Sequence, residues 1–433
     1  MDKKSAEDYV YKSYLKAIKY QAYDTKDENK RNPIYSRDVI REKSQTPCVL
    51  VTGSKGKGSV SSMVSHILQT ELEVGLMTSP HISDFCERFR VNGVMISNEE
   101  FIAQIEKIIP IFDMIDAHIP NDKFISPMGI QATLALNYFN EKGTQFNVFE
   151  CGKGVQYDDV NNVIHQYAII NSIFLEHTRE LGQTLEEIAL DKSHVISGEQ
   201  KCIYVAEQKQ EVLDVIRSRA SLYNTPVKIY GIDFRCDNIR YTHQGMLFDV
   251  IIKDEIFKDI LVPLLGEHQA KNCALAMTIC KDILKTFNVD RIKMMLKSFC
   301  WPGRMEIIST NPFIMLDACI NAECTNNVKE TLDYLKIYKY IVIVGIPNDK
   351  DYVNVVKSMQ NNAEEIILTK SQNPHYVFTK EQQQVLANYG IKTTWSSSVS
   401  EGIGIAKNKN IPIVILGTTS VVSDVKSYFG EKY

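Results

Sequence analysis

Apolar residues fall in short β-rich runs separated by stretches of helical period over most of the chain. The runs lie at Cys48–Val51, Asn147–Phe149, Ala168–Ile173, Ile314–Leu316, Ile341–Val344, Glu365–Leu368 and Ile413–Leu416. Strands that alternate with helices in this way predict an α/β fold built on parallel sheets. After the first run, Val60, Met63, Val64, Ile67 and Leu68 recur three and four residues apart, so one face of a helix is apolar there. Between Pro226 and Pro263 the period shortens to alternation, as in Ile239–Tyr241 and Leu247–Ile252. That stretch predicts hairpins forming an antiparallel edge on the larger domain. Trp301-Pro302-Gly303 breaks a helical pattern just before a new series of strands. A boundary there divides the chain into residues 1–300 and 301–433.

Composition narrows the class. A length of 433 residues suits two domains, and 44% hydrophobic with 24% charged residues is the balance of a globular protein. A net charge of −4 offers no general attraction to nucleic acid or anionic lipid. The ten cysteines include no C-x-x-C pair, and no two histidines stand three or four apart, so neither a zinc site nor a disulfide framework is expected. The start, Met1-Asp2-Lys3-Lys4-Ser5, lacks the apolar stretch of a signal peptide, and no apolar run reaches membrane-spanning length. Reduced thiols in the cytoplasm are the expectation.

The strongest chemical signal is Val51-Thr52-Gly53-Ser54-Lys55-Gly56-Lys57-Gly58-Ser59, between a predicted strand and a predicted helix. Glycines let backbone amides turn toward a phosphate, and the helix N-terminus adds favourable partial charge. Lys57 supplies a point charge to the β and γ phosphates and Ser59 a hydroxyl near the metal, although the spacing is not that of the standard P-loop. A second signal is Lys192. Thr184 and Glu187 form a capping box that starts a helix at Leu185, and Lys192 falls on its apolar face with Leu185, Ile188, Ala189, Val195 and Ile196. Such a lysine either snorkels to solvent or is held buried with a depressed pKa. Glu150 ends one apolar run and His177 follows another, so both point toward the mouth of a parallel sheet, where ligands bind. An oxygen ligand such as Glu150 suits Mg²⁺.

From about Tyr9 to about Val425 the motifs resemble the folylpolyglutamate synthase and dihydrofolate synthase family of the Mur ligases. The blocks are Thr52–Ser59, Thr78-Ser79-Pro80-His81, Glu87–Gly93, Glu150-Cys151-Gly152 and Leu175-Glu176-His177-Thr178 with Leu181–Thr184 after it. They continue in order with His268-Gln269 and Asn272, Trp301–Arg304, Asp349-Lys350-Asp351 and Gly417–Ser420. The resemblance implies a Mur ligase-like fold, with a central P-loop ATPase domain, a smaller Rossmann-like C-terminal domain, and ATP in the cleft between them. It implies that Gly53, Gly56, Lys57, Gly58 and Ser59 hold the phosphates, and that Asn272, Arg304 and Asp317 contact ATP. Ser79, Glu150 and His177 match Mg²⁺ ligands, Lys192 a lysine carbamylated in these enzymes, and Arg88 and Asp158 substrate positions. The activity implied is ATP-dependent joining of a carboxylic acid to an amino acid through an acyl phosphate, by a monomer with no nucleic-acid or membrane partner. Lys57, His177 and Lys192 are the catalytic candidates.

Two blocks depart from the family pattern. Gly152-Lys153-Gly154-Val155-Gln156-Tyr157-Asp158 stands where the family has Gly-Leu-Gly-Gly-Arg-Leu-Asp, so Gln156 replaces an arginine. Asp317-Ala318-Cys319-Ile320-Asn321 replaces Asp-Gly-Ala-His-Asn, so Ile320 takes the place of a histidine. Glutamate as acceptor needs cations for its extra carboxylates. Activity with folates and glutamate is therefore expected to be weak unless another cation such as Lys153 takes over. Two alternatives stand beside the folate enzyme: a paralogue joining another acid to an amino acid, and an ATP-binding protein without transfer activity.

Overall fold

The computed structural model describes residues 1–20, 32–373 and 376–430. Every apolar run named above forms a strand, and together the strands build three sheets. The first has eight strands in the order Val94–Met95, Phe89–Val91, Val74–Met77, Phe146–Glu150, Cys48–Thr52, Tyr167–Ile170, Cys202–Val205 and Val227–Ile229. Its first two pairings, which join the first three strands, are antiparallel and the rest are parallel. The third sheet has six strands, ordered Glu306–Thr310, Phe313–Asp317, Ile413–Gly417, Tyr340–Gly345, Ala363–Leu368 and Thr394–Trp395, parallel after an antiparallel first pair.

The hairpin stretch differs from expectation. Phe234–Thr242, Gly245–Ile252 and Glu255–Val262 form a separate three-stranded antiparallel sheet, and the edge of the large sheet is the parallel strand Val227–Ile229. The alternating strands have one apolar face, and Phe248, Val250 and Ile260 bury it against the helix Glu267–Ile283. That helix in turn packs on the helix Lys57–Leu68, whose predicted face of Val60, Met63, Val64, Ile67 and Leu68 is wholly buried. The third sheet has its own apolar layers on both faces. No helix among the described residues is long and apolar enough to cross a membrane.

Parallel pairing fixes where chemistry collects. Val51 is opposite Glu150 and Thr52 opposite Ile170, so the phosphate loop, Glu150 and the residues after Ile170 leave the sheet at one level. The run predicted to reach Ile173 ends at Ile170, which frees Asn171 and Ser172 to turn over that loop.

Candidate active site

The phosphate loop is held from two sides. Gly56 is left-handed (φ 74°) at the start of its helix, and a Cβ there would lie 2.4 Å from Asn171 Nδ2. At Gly53 (φ 137°) a Cβ would lie 2.9 Å from both the Asn171 Cβ and its carbonyl oxygen, so glycine suits both places. Asn171 Nδ2 donates to Asn272 Oδ1 at 3.1 Å, and Asn272 Nδ2 to Gln269 Oε1 at 3.2 Å, tying the loop to the helix Glu267–Ile283. Asn171 was not singled out in the sequence. The available signal was a polar residue directly after a strand that flanks the loop strand.

The helix Lys57–Leu68 has no acidic residue in its first turn and no side-chain cap, which leaves its N-terminal amides to an anion. Lys57 Nζ donates to the Gly53 carbonyl at 2.9 Å. Ser59 and Thr52 hydroxyls are buried with no hydrogen-bond partner among the described residues, a costly state unless something else is bound there.

Lys192 does not snorkel. Its helix starts at Leu185 with the predicted Thr184–Glu187 capping box but ends at Ser193, so Val195 and Ile196 lie beyond it. The side chain is fully buried and its Nζ donates to Lys153 O at 2.7 Å and Gly53 O at 3.1 Å. Glu176 Oε1 lies 3.2 Å away. Burial lowers the pKa of this amine, with Glu176 opposing and Lys57 adding to the fall. Burial also works to raise the Glu176 carboxyl, but Lys192 and Lys57 outweigh it and hold it ionised.

The candidate metal ligands converge only in part. Buried Glu150 accepts the Ser79 amide at 3.0 Å through Oε2, and its pKa is raised by burial against the pull of Lys57. His177 stands on the adjoining loop, 3.9 Å from Glu176, and is left-handed (φ 48°). No three His, Cys, Asp or Glu side chains among the described residues gather around one metal-sized point. The oxygen donors still fit Mg²⁺, which keeps several waters and needs only one or two carboxylates.

Asp317, at the C-terminal end of its strand in the third sheet, is brought to the same place. It accepts the Met305 amide at 2.8 Å, and burial raises its pKa while Arg304 and Lys55 pull it down. Arg304 and Asp317 line a cavity of about 280 Å³ with Lys55, Gly56, Ser59 and Asn272. Of the candidate nucleotide contacts, Gly56, Ser59, Asn272, Arg304 and Asp317 thus share one space, whereas Gly53, Lys57 and Gly58 do not line it.

The two substrate candidates are both held by groups of the protein. Arg88 is buried, donating to His81 Nδ1 at 2.9 Å and Gln131 Oε1 at 2.7 Å. Asp158 turns under its own loop and accepts the amides of Gly152 at 2.6 Å and Val160 at 3.1 Å.

His81, His177 and His268 are each lowered to about 4, in every case chiefly by burial. Their unfolded counterparts protonate near pH 6.5. The stability these neutral rings contribute is complete above pH 6.5 and is lost as pH falls toward 4. The melting temperature is expected to drop across that window, and His81→Asn to flatten the drop between pH 6.5 and 5. An unchanged profile in the variant excludes His81 as a source.

A glycine-rich loop and a buried lysine–carboxylate pair at the mouth of a parallel sheet, faced by an acid ending a strand of another sheet and by an arginine just before that sheet, make an α/β protein with a ligand-sized cavity between them. Residues 51–280 match the Mur ligase middle domain family, and the chain belongs to the Mur ligases. It is 29% identical to the dihydrofolate synthase/folylpolyglutamate synthase of Bacillus subtilis over 87% of this chain and 89% of that protein. The Mycobacterium tuberculosis folylpolyglutamate synthase solved with ADP and AMPPCP superposes with a TM-score of 0.87 at 20% identity, covering 94% of this chain and 97% of that one. A folylpolyglutamate synthase complex with AMPPCP and folate gives 0.82 at 22%, covering 99% and 100%.

Proposed function

We propose that this Mur ligase is an ATP-dependent, ADP-forming enzyme that activates a carboxylic acid as an acyl phosphate and joins it to the amine of an amino acid. The observation behind this reading is the single cavity reached by the phosphate loop, Asn272, Arg304 and Asp317. Residues 1–300 supply the phosphate site and 301–433 the closing wall. In this reading the loop amides from Gly53 to Ser59 cradle the phosphates, and Lys57 leaves the Gly53 carbonyl to meet the transferring γ-phosphoryl group. Asn272 and Arg304 orient the nucleotide, and buried Asp317 accepts from it. Glu150, Ser79, Ser59 and His177 would hold Mg²⁺, which supplies charge neutralisation to the phosphates when bound. A substrate carboxylate attacks the γ-phosphorus, ADP leaves, and the amine then displaces phosphate from the acyl carbon. Closure of the cleft keeps water from the acyl phosphate.

The metal assignment has a direct check. Glu150→Ala is expected to raise the Mg²⁺ concentration for half-maximal rate at least tenfold, about 1.4 kcal/mol of lost binding. An unchanged Mg²⁺ titration moves the metal site elsewhere.

The acceptor is where this chain leaves the folate pattern. Lys153, the cation that was to compensate for Gln156 and Ile320, has its Nζ 3.1 Å from Glu180 Oε1 and is neutralised there. Gln156 is exposed on Tyr157, and Ile320 packs against the second-domain core. These partners favour an acceptor with fewer carboxylates than folate glutamylation demands. The test is ADP release with dihydropteroate or tetrahydrofolate plus glutamate, set against a panel of other acids and amino acids. A faster rate with another pair is expected. Efficient glutamylation of either pterin makes this a folate enzyme, and nucleotide binding without turnover on any pair defeats the ligase reading.

A further inference from the structure

Behind Arg304, one of the residues that line the cavity, lies an ion pair that the transfer reaction does not use. Lys426 sits in the helix Thr419–Phe429 on the same buried face as Val422 and Val425, and its side chain is 1% exposed. Its Nζ donates to Oε1 of Glu306, the first residue of the edge strand Glu306–Thr310. The other carboxylate oxygen, Glu306 Oε2, accepts the Gly303 amide at 2.9 Å. One carboxylate therefore joins a buried lysine to the residue that precedes Arg304.

The turn around Arg304 is held at both of its neighbours. Gly303 is left-handed (φ 67°), and a Cβ there would lie 2.8 Å from Val422 Cγ1, so this glycine is pressed against the lysine's own helix. Its carbonyl accepts the Ala318 amide and Arg304 Nη1, each at 3.0 Å. Met305 also has a positive φ (46°), and its amide donates to Asp317 Oδ2 at 2.8 Å. Such a backbone at a residue other than glycine persists only where the surroundings impose it. Between these two anchored residues the Arg304 side chain lines the 280 Å³ cavity with Lys55, Ser59 and Asp317. Desolvation cancels much of the attraction in a buried ion pair, so stability alone is a weak account of Lys426 and Glu306. Geometry is a better one. An arginine held beforehand in its binding conformation loses less side-chain freedom when a ligand arrives.

We propose that Lys426 and Glu306 are positioning residues for Arg304: the lysine orients the carboxylate, the carboxylate fixes Gly303, and the pinned turn presents the guanidinium to a nucleotide in the cavity. Without Lys426 the Glu306 carboxylate faces an apolar helix side without its cation. It then turns to the solvent that already reaches it, its side chain being 26% exposed, and releases the Gly303 amide. The Arg304 guanidinium loses its fixed start on the Gly303 carbonyl and has to be ordered by the ligand. The step from Arg304 to nucleotide rests on the proposed function, whereas the chain of contacts from Lys426 to Arg304 does not.

The experiment measures AMPPCP affinity by calorimetry on the full chain as wild type, Lys426→Met, Arg304→Ala and the double variant, with a melting curve for each. Lys426→Met is expected to weaken AMPPCP about tenfold, and about twofold or less once Arg304→Ala has removed the residue through which it acts. An equal loss in both backgrounds makes Lys426 merely structural and overturns the proposal, as does an unchanged affinity in Lys426→Met. Should Lys426→Met not fold, Glu306→Ala with Lys426→Met leaves neither charge of the pair behind and takes its place in the cycle with the same expectation. Adding back an acceptor, as Glu306→Gln with Lys426→Met, should then recover part of the affinity. Wild-type AMPPCP affinity in Arg304→Ala defeats the nucleotide reading of Arg304 instead. The crystal structure of the folded Lys426 variant then decides the positioning by itself. A Gly303 amide off residue 306 and a guanidinium without one defined place uphold it, and an unmoved Arg304 overturns it.

Discussion

Lys192→Ala is expected to lower turnover by about a thousandfold or more, the scale on which loss of a pre-organised charged group in a transfer site is felt. The lysine bridges the phosphate loop through Gly53 O and the departing loop through Lys153 O, and it is the ion-pair partner of Glu176. Removing it leaves the Glu176 carboxylate without its nearest cation, a loss of about 3–5 kcal/mol when one partner of a buried pair is deleted. Part of the effect is therefore structural, and a melting curve must accompany the rate. The mechanistic part is distinct. Burial favours the neutral amine, the form that reacts with carbon dioxide, while Glu176 resists this by favouring the ammonium. We propose that Lys192 is carbamylated in the working enzyme. The amine nitrogen bonds the carbon and gives up a proton, and the new carboxylate helps hold cations near the phosphates. Acetate or formate should then restore part of the rate in Lys192→Ala without raising its melting temperature. A bare amine at high resolution, together with an active alanine variant, rules the carbamate out.

Lys57→Ala is expected to cost about 3 kcal/mol or more at the transition state, roughly a hundredfold in rate, and to weaken ATP binding as well. Its ammonium is held on the Gly53 carbonyl at 2.9 Å, within the loop whose amides face the helix N-terminus. The side chain is half-buried and its hydrogen bond is to that carbonyl, so the variant should fold normally. Lys57→Arg offers a second check, because a planar guanidinium cannot replace a compact point charge in a tight loop. Arginine is expected to recover little of the rate. Wild-type turnover in Lys57→Ala removes this loop from the transfer site.

What the sequence determined by itself was local or periodic. The parallel strands, the buried face of Lys57–Leu68, and the helix start at Leu185 follow from spacing and from a capping box whose partners are three residues apart. The need for glycine at positions 53 and 56 was legible in the same way, although the cause proved to be Asn171 pressing on the loop from a neighbouring strand. Beyond that range the sequence was ambiguous. An apolar helix face around Lys192 was compatible with snorkelling or burial, and the outcome rested on Gly53, 139 residues earlier, and on Glu176. The hairpins carried the right alternation, but alternation does not state which sheet they join, and their apolar face found the helix Glu267–Ile283. Asp158 and Arg88 match substrate positions by resemblance alone, and the structure adds that Asp158 accepts amides of its own loop while Arg88 donates to His81 and to Gln131 of a distant helix. The cavity shared by Lys55, Asn272, Cys324 and Asp317 exists only where two sheets meet. Its contents are set by packing between distant segments, whose free energy no local pattern encodes.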